Sequence, residues 1–263
     1  MRRVCGLATI SDVECDEVTA FLDGHRDLYR AYTSALQPVP SGLSATVHAD
    51  PASNMTRPWE WAYACRCLAD ESASSVVDIG SGAGFLPFLL SSQGVDVTAV
   101  DIEPRLAAIV EHLNSELGTH VRFAQGSAER FSLGSAPAGA VVSISVFEHV
   151  DDPVAALRNM RRLVGEGGPG IFTFDVALGP EGGVRIPVLL DLLQEMRTCW
   201  EAVYPESWEL RPDLYTTEHV RKTHPERLPW RQFSYSPGNI LAGVAGKTPF
   251  HSLAFAAMFL RAR

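Results

Sequence analysis

The residues best suited to chemistry in this sequence are two aspartates and three closely spaced glycines. Asp78 ends an apolar run, Gly80, Gly82 and Gly84 follow it at alternate positions, and Asp101 ends the next apolar run. An apolar run, a glycine cluster and an apolar helical pattern, in that order, predict a strand, a tight turn and a helix. Glycine has no Cβ and tolerates positive φ, so this turn lets the backbone approach a ligand closely.

The spacing of these glycines bears on the kind of ligand. A dinucleotide site has the spacing G-x-G-x-x-G and holds a pyrophosphate at the helix N-terminus. In this sequence Phe85 occupies the position of the third glycine. This departure weakens the dinucleotide interpretation, and a nicotinamide-dependent oxidoreductase is kept only as a distant alternative.

Glu148 and His149 are the candidate catalytic residues, and they follow the fourth predicted strand. The imidazole of His149 suits general base catalysis because its ordinary pKa is about 6.5. A structural alternative stays open for both residues. In that alternative His149 orients the helix that begins at Asp152-Pro153, and Glu148 ties down the loop before it.

These residues can meet only if an alternation of strands and helices brings them to one edge of a sheet. The strand patterns are separated by helical patterns of about 10–15 residues, and they lie at 76–79, 95–100, 121–124, 140–146 and 171–176. This alternation predicts right-handed crossovers and a mostly parallel twisted sheet with helices on both faces, which is an α/β fold. Ligands of such sheets bind at the carboxyl ends of the strands.

The region before the first strand predicts a helical N-terminal extension. Ser11 can cap a helix from Asp12 to about Leu22, and a second helix begins at Thr56-Arg57-Pro58. Prolines, a glycine and serines break regular structure over 38–58. The aromatic residues of the second helix favour packing in the core, with the lining of a pocket as the alternative.

The region after the fifth strand interrupts the alternation. It predicts a helix near 186–200 and another that begins at Thr216 or Thr217, and its aromatic residues favour a substrate cap. The apolar stretch 253–260 favours a final strand, although its alanines would also suit a helix. We expect a helical extension at 1–73, a ligand-binding core at 74–176, and a cap insertion with the final strand of the same domain at 177–263.

Composition and charge argue against several classes of protein. The chain has 263 residues, of which 46% are hydrophobic, so it can bury a full core. Its formal charge of -9 and the lack of a basic stripe argue against nucleic acid as a partner. No apolar run approaches the roughly 20 residues that span a bilayer. The five cysteines form no CxxC pair and predict a reduced, cytoplasmic protein.

Five stretches taken together give the sequence a family resemblance. They are the glycine turn at 78–84, the run Val100-Asp101-Ile102-Glu103-Pro104, residues 125–129, the run Phe147-Glu148-His149-Val150, and the turn at 163–168. Each is weak alone, but in this order they resemble the motifs of class I S-adenosylmethionine-dependent methyltransferases. The resemblance covers residues 74–176 and implies a Rossmann-like fold.

The resemblance implies a role for each matched residue. The carboxylate of Asp101 would accept hydrogen bonds from both ribose hydroxyls, and the side chain of Ile102 would pack on the adenine ring. The positions that it assigns to the methyl donor are Asp78, Gly80, Ser81, Gly82, Gly84, Asp101, Ile102, Ser127, Ala128 and Ser143. Arg57 is a further candidate because it could pair with the methionyl carboxylate, and a surface arginine is the alternative.

Three positions depart from the family pattern. Ser127 replaces the acid that typically holds the adenine amino group, and Gly139 stands where the fourth motif often begins with aspartate. Ubiquinone-type O-methyltransferases carry a metal-binding glutamate three residues before the Glu-His pair, and Ser145 stands at that position here. Glu148 and His149 alone are too few ligands, so we predict no required metal.

The sequence therefore predicts a cytoplasmic enzyme that transfers a methyl group from S-adenosyl-L-methionine to a small molecule. Whether the acceptor atom is oxygen, nitrogen or carbon stays open, as does the oligomeric state. The alternative is an S-adenosylmethionine-binding protein of the same fold without methyl transfer, in a regulatory or assembly role, since a fold does not determine a function.

Overall fold

The strands predicted from the sequence form the centre of one sheet in the computed structural model. The structure describes residues 1–2, 5–37, 55–134, 136–179, 182–227 and 252–263. The strands are β1 (Cys5–Leu7), β2 (Ser75–Ile79), β3 (Asp96–Asp101), β4 (Arg122–Gln125), β5 (Ala140–Ile144), β6 (Pro169–Ala177), β7 (Trp200–Ala202), β8 (Glu206–Ser207) and β9 (Leu253–Ala262). Their order is β4-β3-β2-β5-β6-β9-β1-β8, and β7 pairs with β9.

The five strands from β2 to β6 are parallel to one another, as predicted. The chain passes from β2 outward to β3 and β4 and then returns to β5 on the other side of β2. A crevice forms at such a reversal, outside the carboxyl ends of the strands. The glycine turn follows β2 at this point, and Glu148 follows β5.

Near-continuous apolar runs explain why these strands are central. Val76, Val97, Val141 and Ile171 are almost fully buried, and so are most of their neighbours on both faces of the sheet. Strands that helices cover on both sides have this composition, whereas a strand with one wet face alternates apolar and polar residues.

Helices cover the sheet, and several begin and end at the signals that the sequence contains. They are α1 (Ile10–Val13), α2 (Asp16–Gly24), α3 (Arg26–Ala35), α4 (Arg57–Glu71), α5 (Phe85–Ser92), α6 (Leu106–Leu117), α7 (Pro153–Leu163), α8 (Ile186–Cys199) and α9 (Thr217–Thr223). The side chain of Asp152 accepts a hydrogen bond from the Ala155 amide at the start of α7. Gly118 ends α6 with a left-handed backbone (φ +63°).

The helix predicted from Asp12 to Leu22 is in fact two helices, α1 and α2. Thr9 rather than Ser11 precedes the first, and its amide and hydroxyl both donate to the carboxylate of Asp12 at 2.9 and 2.7 Å. That carboxylate is buried and also pairs with Arg2 at 2.6 Å. An extended backbone at Cys15 then separates the two helices.

The final apolar stretch is a strand, which confirms that prediction. Strand β9 runs antiparallel to β6 over its whole length, from Ala177 opposite Leu253 to Pro169 opposite Arg261. The N-terminal strand β1 pairs antiparallel with β9, a pairing that the predicted helical extension did not include. Because β1 is so short, its sequence shows no strand pattern of its own.

The aromatic residues of α4 pack in the core, as the sequence favoured. Trp59, Trp61 and Tyr63 are all almost fully buried, and the rings of Trp61 and Phe85 form a T-shaped pair. Most of the predicted irregular segment at 38–58, namely 38–54, lies outside the described residues. The same is true of residues 228–251 of the predicted cap. Among the described helices, none is both long and apolar enough to cross a membrane.

Candidate functional site

A cavity of about 610 Å³ opens at the carboxyl ends of β2, β3 and β5. The glycine turn forms one wall, and residues after β3 and β5 form the others. The described lining residues are Arg57, Trp61, Asp78, Gly80, Ser81, Gly82, Ala83, Gly84, Leu86, Pro87, Asp101, Ile102, Glu103, Pro104, Ile144, Ser145, Val146, His149 and Val150. The structure therefore brings eight of the predicted donor-binding residues, together with His149, around one space.

The glycine turn requires glycine at Gly80 for two reasons. Its φ is +70°, and a Cβ at this position would come within 2.4 Å of Cγ2 of Val146. The amides of Gly80 and Ser81 both donate to the backbone carbonyl of Val100, at 2.8 and 3.0 Å. These bonds fix the turn against β3, so that the backbone itself forms the cavity wall.

Asp78 presents an unpaired acceptor at this wall. The residue is 3% exposed, and its Oδ1 is buried without a hydrogen-bond partner. Burial raises the pKa of Asp78 to about 8, the charge of Asp101 adds to that rise, and the Arg57 guanidinium opposes it. A buried carboxyl with this environment is stabilised by a cationic partner or by a proton.

Asp101 holds its own loop while it faces the cavity. Its Oδ2 accepts from the amide of Gly82 at 2.9 Å, and its Oδ1 accepts from the amide of Glu103 at 3.0 Å. One carboxylate thus connects the glycine turn to the loop after β3. The next residue, Ile102, leaves 68% of its surface exposed although it is apolar, which suits a flat apolar ligand group lying against it.

His149 lies in the cavity wall, whereas the carboxyl of Glu148 lies behind it. Burial against the wall lowers the pKa of His149, and the charge of Arg57 acts in the same direction. Both carboxyl oxygens of Glu148 are buried and have no partner. Burial raises the pKa of Glu148 well above its ordinary value, and the negative charges of Asp175 and Glu60 add to the effect.

Arg57 is not a free surface arginine. Its side chain is 21% exposed, lines the cavity, and pairs with Glu60 at 2.9 Å. Burial alone would lower its pKa, but the carboxylates of Glu60, Glu148 and Asp175 raise it. The guanidinium is therefore held as a cation among acidic groups at the edge of the cavity.

Three predicted donor-binding residues are absent from the described lining of the cavity. The hydroxyl of Ser143 donates to the carbonyl of Ile79 at 2.9 Å, which gives this residue a structural bond between β5 and β2. The carbonyl of Ala128 accepts from the Asn159 side chain at 3.0 Å. For Ser127 and Ala128 a contact with the donor stays a prediction.

Several residues at the cavity were not among the predicted site residues, although pocket lining was the open alternative for the aromatic residues of α4. Ser145 and Trp61 line the cavity, while Glu60 and Asp175 set its charge from behind. Only the spacing of Arg57 and Glu60, three residues apart on one helix, could have indicated an ion pair. Within the described ranges, no cluster of three or more His, Cys, Asp or Glu side chains is arranged to hold a metal ion.

Comparison with known proteins finds methyltransferases that resemble part of this chain. Residues 77–172 match the family described as "Methyltransferase domain". The ubiquinone biosynthesis O-methyltransferase of Alkalilimnicola ehrlichii is 29% identical over 112 residues, which are 42% of this chain and 45% of that protein. The protein of the same name from Aliivibrio fischeri is 33% identical over 101 residues, covering 37% and 42%. The matches thus span less than half of the length of these curated relatives.

Solved structures show the likeness in fold over a longer part of the chain. The [4+2]-cyclase SpnF superposes with a TM-score of 0.59 at 18% identity, covering 99% of this chain and 98% of its own. The N-methyltransferase NodS from Bradyrhizobium japonicum, solved with S-adenosyl-L-homocysteine, gives a TM-score of 0.51 at 14% identity, covering 89% and 98%. At these identities the likeness concerns the fold alone.

The sheet order, the glycine turn and the matched segment define a Rossmann-like fold of the methyltransferase type. Within that fold, residues 77–172 are similar to a methyltransferase domain. This segment contains the turn, Asp101 and the Glu148-His149 pair, while Arg57 and Glu60 lie outside it.

Proposed function

We propose that the protein is a methyltransferase that moves a methyl group from S-adenosyl-L-methionine to a small molecule. The observation that carries the proposal is the convergence of the glycine turn, the unpaired Asp78 and Asp101 on one cavity of about 610 Å³. A volume of that order is typical of sites that enclose a small ligand or cofactor. The matched methyltransferase domain supports the same conclusion.

The cavity residues fit the parts of this donor. The unpaired oxygen of Asp78 suits a cationic amine, since an opposite charge stabilises a buried carboxylate. Asp101 still has lone pairs for hydroxyl groups after its two backbone bonds, because a carboxylate has about four acceptor sites. The exposed Ile102 offers an apolar surface to a base, and Arg57 offers a cation to a carboxylate.

The donor supplies a methyl group on a sulfonium, which is already activated for transfer. The chain has to align the acceptor, exclude water and accept a proton if the acceptor is a hydroxyl. The lowered pKa of His149 keeps its imidazole neutral near pH 7, so that it can accept a proton. We assign the buried carboxyl of Glu148 to the support of this loop, because it lies behind the described lining of the cavity.

The curated relatives are O-methyltransferases by name, which supports a hydroxyl group as the acceptor. Binding of the donor without methyl transfer is the second candidate. One observation favours it: the chain shares its fold over 99% of its length with SpnF, which is named as a cyclase. The same architecture can therefore serve another reaction.

Calorimetry and a transfer assay test the two candidates in sequence. We expect S-adenosylmethionine and S-adenosylhomocysteine to bind at one site, and labelled methyl groups to appear in small hydroxylated compounds from a cell extract. His149→Ala should reduce transfer at least tenfold without a change in donor affinity, whereas the exposed His120→Ala should change neither. Absence of donor binding would refute both candidates, and binding without any labelled product would favour the second.

A further inference from the structure

Glu60 lies behind the cavity and gathers donors from three parts of the chain. It belongs to α4, and it is 1% exposed. Its Oε1 accepts from the hydroxyls of Ser145 and Thr173, both at 2.7 Å. Its Oε2 accepts from Nη1 of Arg57 at 2.9 Å and from the hydroxyl of Thr56 at 3.4 Å. One carboxylate thus joins the start of α4 to the end of β5 and the middle of β6.

One of these donors is a strained residue of the cavity wall. Ser145 has a left-handed backbone with φ +53°, an uncommon conformation for a residue other than glycine. Holding such a residue costs free energy, which the surrounding contacts must supply. The amide of Ser145 donates to the carbonyl of Thr173 at 2.9 Å, and its hydroxyl donates to Glu60.

Another of the four donors, Arg57, is the cation of the cavity. Arg57 is attracted by three carboxyl groups, those of Glu60, Glu148 and Asp175. Of the described residues, only Glu60 lies within ion-pair distance of it, at 2.9 Å. Without the charge of Glu60, the guanidinium would lose the ion pair that fixes its present position.

We propose that Glu60 is a positioning residue, whose carboxylate holds the Arg57 guanidinium and the Ser145 hydroxyl in the cavity wall so that Arg57 can pair with the carboxylate of the methyl donor. This inference rests on the proposed function. It assigns to α4, which precedes the matched segment, a part of the donor site. Glu60 itself does not contact the donor.

Two ligands separate this role from a purely structural one. S-adenosylhomocysteine carries the amino acid carboxylate, whereas 5′-methylthioadenosine has the same adenosine part and lacks that group. Calorimetry with both ligands is run on the wild-type chain and on Glu60→Gln. We expect Glu60→Gln to weaken the binding of S-adenosylhomocysteine about tenfold or more, and to change the affinity for methylthioadenosine by less than twofold. A tenfold loss corresponds to about 1.4 kcal/mol, which is within the range for one misplaced charge pair.

A matched control lies on the same helix. Glu71 pairs with Arg261 at 2.7 Å at the far end of α4, away from the cavity, so Glu71→Gln should leave both affinities unchanged. Arg57→Lys should reproduce the selective loss, because an ammonium lacks the planar fork that can serve two carboxylates. This second variant keeps Glu60 in place, so it tests the pairing even if Glu60→Gln does not fold.

The outcomes separate the inference from the proposed function. If the wild-type chain binds neither ligand, the proposed function fails and the inference fails with it. If the wild-type chain binds both and Glu60→Gln weakens both equally, Glu60 only supports the fold and the inference alone is overturned. A loss confined to S-adenosylhomocysteine in Glu60→Gln and Arg57→Lys supports it.

Discussion

The two sides of the cavity satisfy their polar groups in opposite ways. On the glycine-turn side, Asp78 leaves a buried oxygen without a partner, and Ile102 leaves an apolar side chain exposed. On the α4 side, the carboxylate of Glu60 accepts four hydrogen bonds from the protein itself. The turn side has groups left over for a ligand, whereas the Glu60 carboxylate on the α4 side is fully bonded within the protein.

This difference indicates which side recognises and which side supports. A buried polar atom without a partner costs about 1–3 kcal/mol, so it persists where a ligand can satisfy it. A fully bonded carboxylate rigidifies its neighbours instead. The turn side therefore defines what binds, and the α4 side defines where Arg57 and Ser145 stand when it binds.

The largest effect that would test this contrast is the pH dependence of stability that arises from Asp78. Its pKa is 3.8 when the chain is unfolded and about 8 in the folded chain, so between these values the folded state holds a proton that the unfolded state has lost. The contribution of Asp78 to the free energy of unfolding is therefore greatest below pH 3.8 and falls as the pH rises towards 8. We expect Asp78→Asn to remove a slope of about 1.4 kcal/mol per pH unit.

Urea unfolding of the ligand-free protein at pH 5, 6 and 7 measures that slope. Glu148 and Asp175 have raised pKa values as well, so the wild-type slope should exceed the part that Asp78 contributes. Asp96→Asn, which removes an exposed partner of Arg122 on the same sheet, should keep the wild-type slope. An unchanged slope in Asp78→Asn would show that Asp78 is ionised and already satisfied, which would abolish the contrast.

Much of the fold and the turn side of the cavity could be predicted from the sequence, because their signals are local. The strand, the glycines and Asp78 are contiguous, and Asp101 closes the next strand, so order along the chain is sufficient to assemble them. The final strand was equally visible as an apolar run, whereas three residues at Cys5–Leu7 were too few for a pattern.

The α4 side could not be predicted in this way. Glu60 meets Ser145 and Thr173 only after α4 has packed against β5 and β6, and no periodicity relates these positions. The split of the first predicted helix has a similar origin, since the buried carboxylate of Asp12 pairs with the half-buried Arg2 at the first turn of α1. Tertiary contacts override the local pattern in both cases.

A smaller effect is expected where the turn side meets the loop after β5. In Gly80→Ala the new methyl group would come within 2.4 Å of the Val146 side chain, and the alanine would have to adopt a backbone φ of +70°. We therefore expect the free energy of unfolding to fall by about 2–3 kcal/mol. Val146→Ala removes both γ-methyl groups and should restore part of that loss in the double variant. Urea unfolding of the wild-type chain, the two single variants and the double variant gives the coupling energy between positions 80 and 146. If the two losses of stability simply added, the new methyl group would not be clashing with Val146.

The smallest effect is expected from Tyr32, which links the helices before the core to the glycine turn. Its buried hydroxyl donates to the backbone carbonyl of Ala83, a residue of the cavity wall. Tyr32→Phe should cost about 1 kcal/mol of stability and weaken donor binding a few-fold, since the turn loses one fixed point. The hydroxyl of Tyr204 bonds Asp70 at 3.0 Å outside the cavity, so Tyr204→Phe should cost a similar amount of stability and leave donor affinity unchanged. If both variants lowered donor affinity equally, the turn would be responding to overall stability, and the division between a recognising side and a supporting side would not hold.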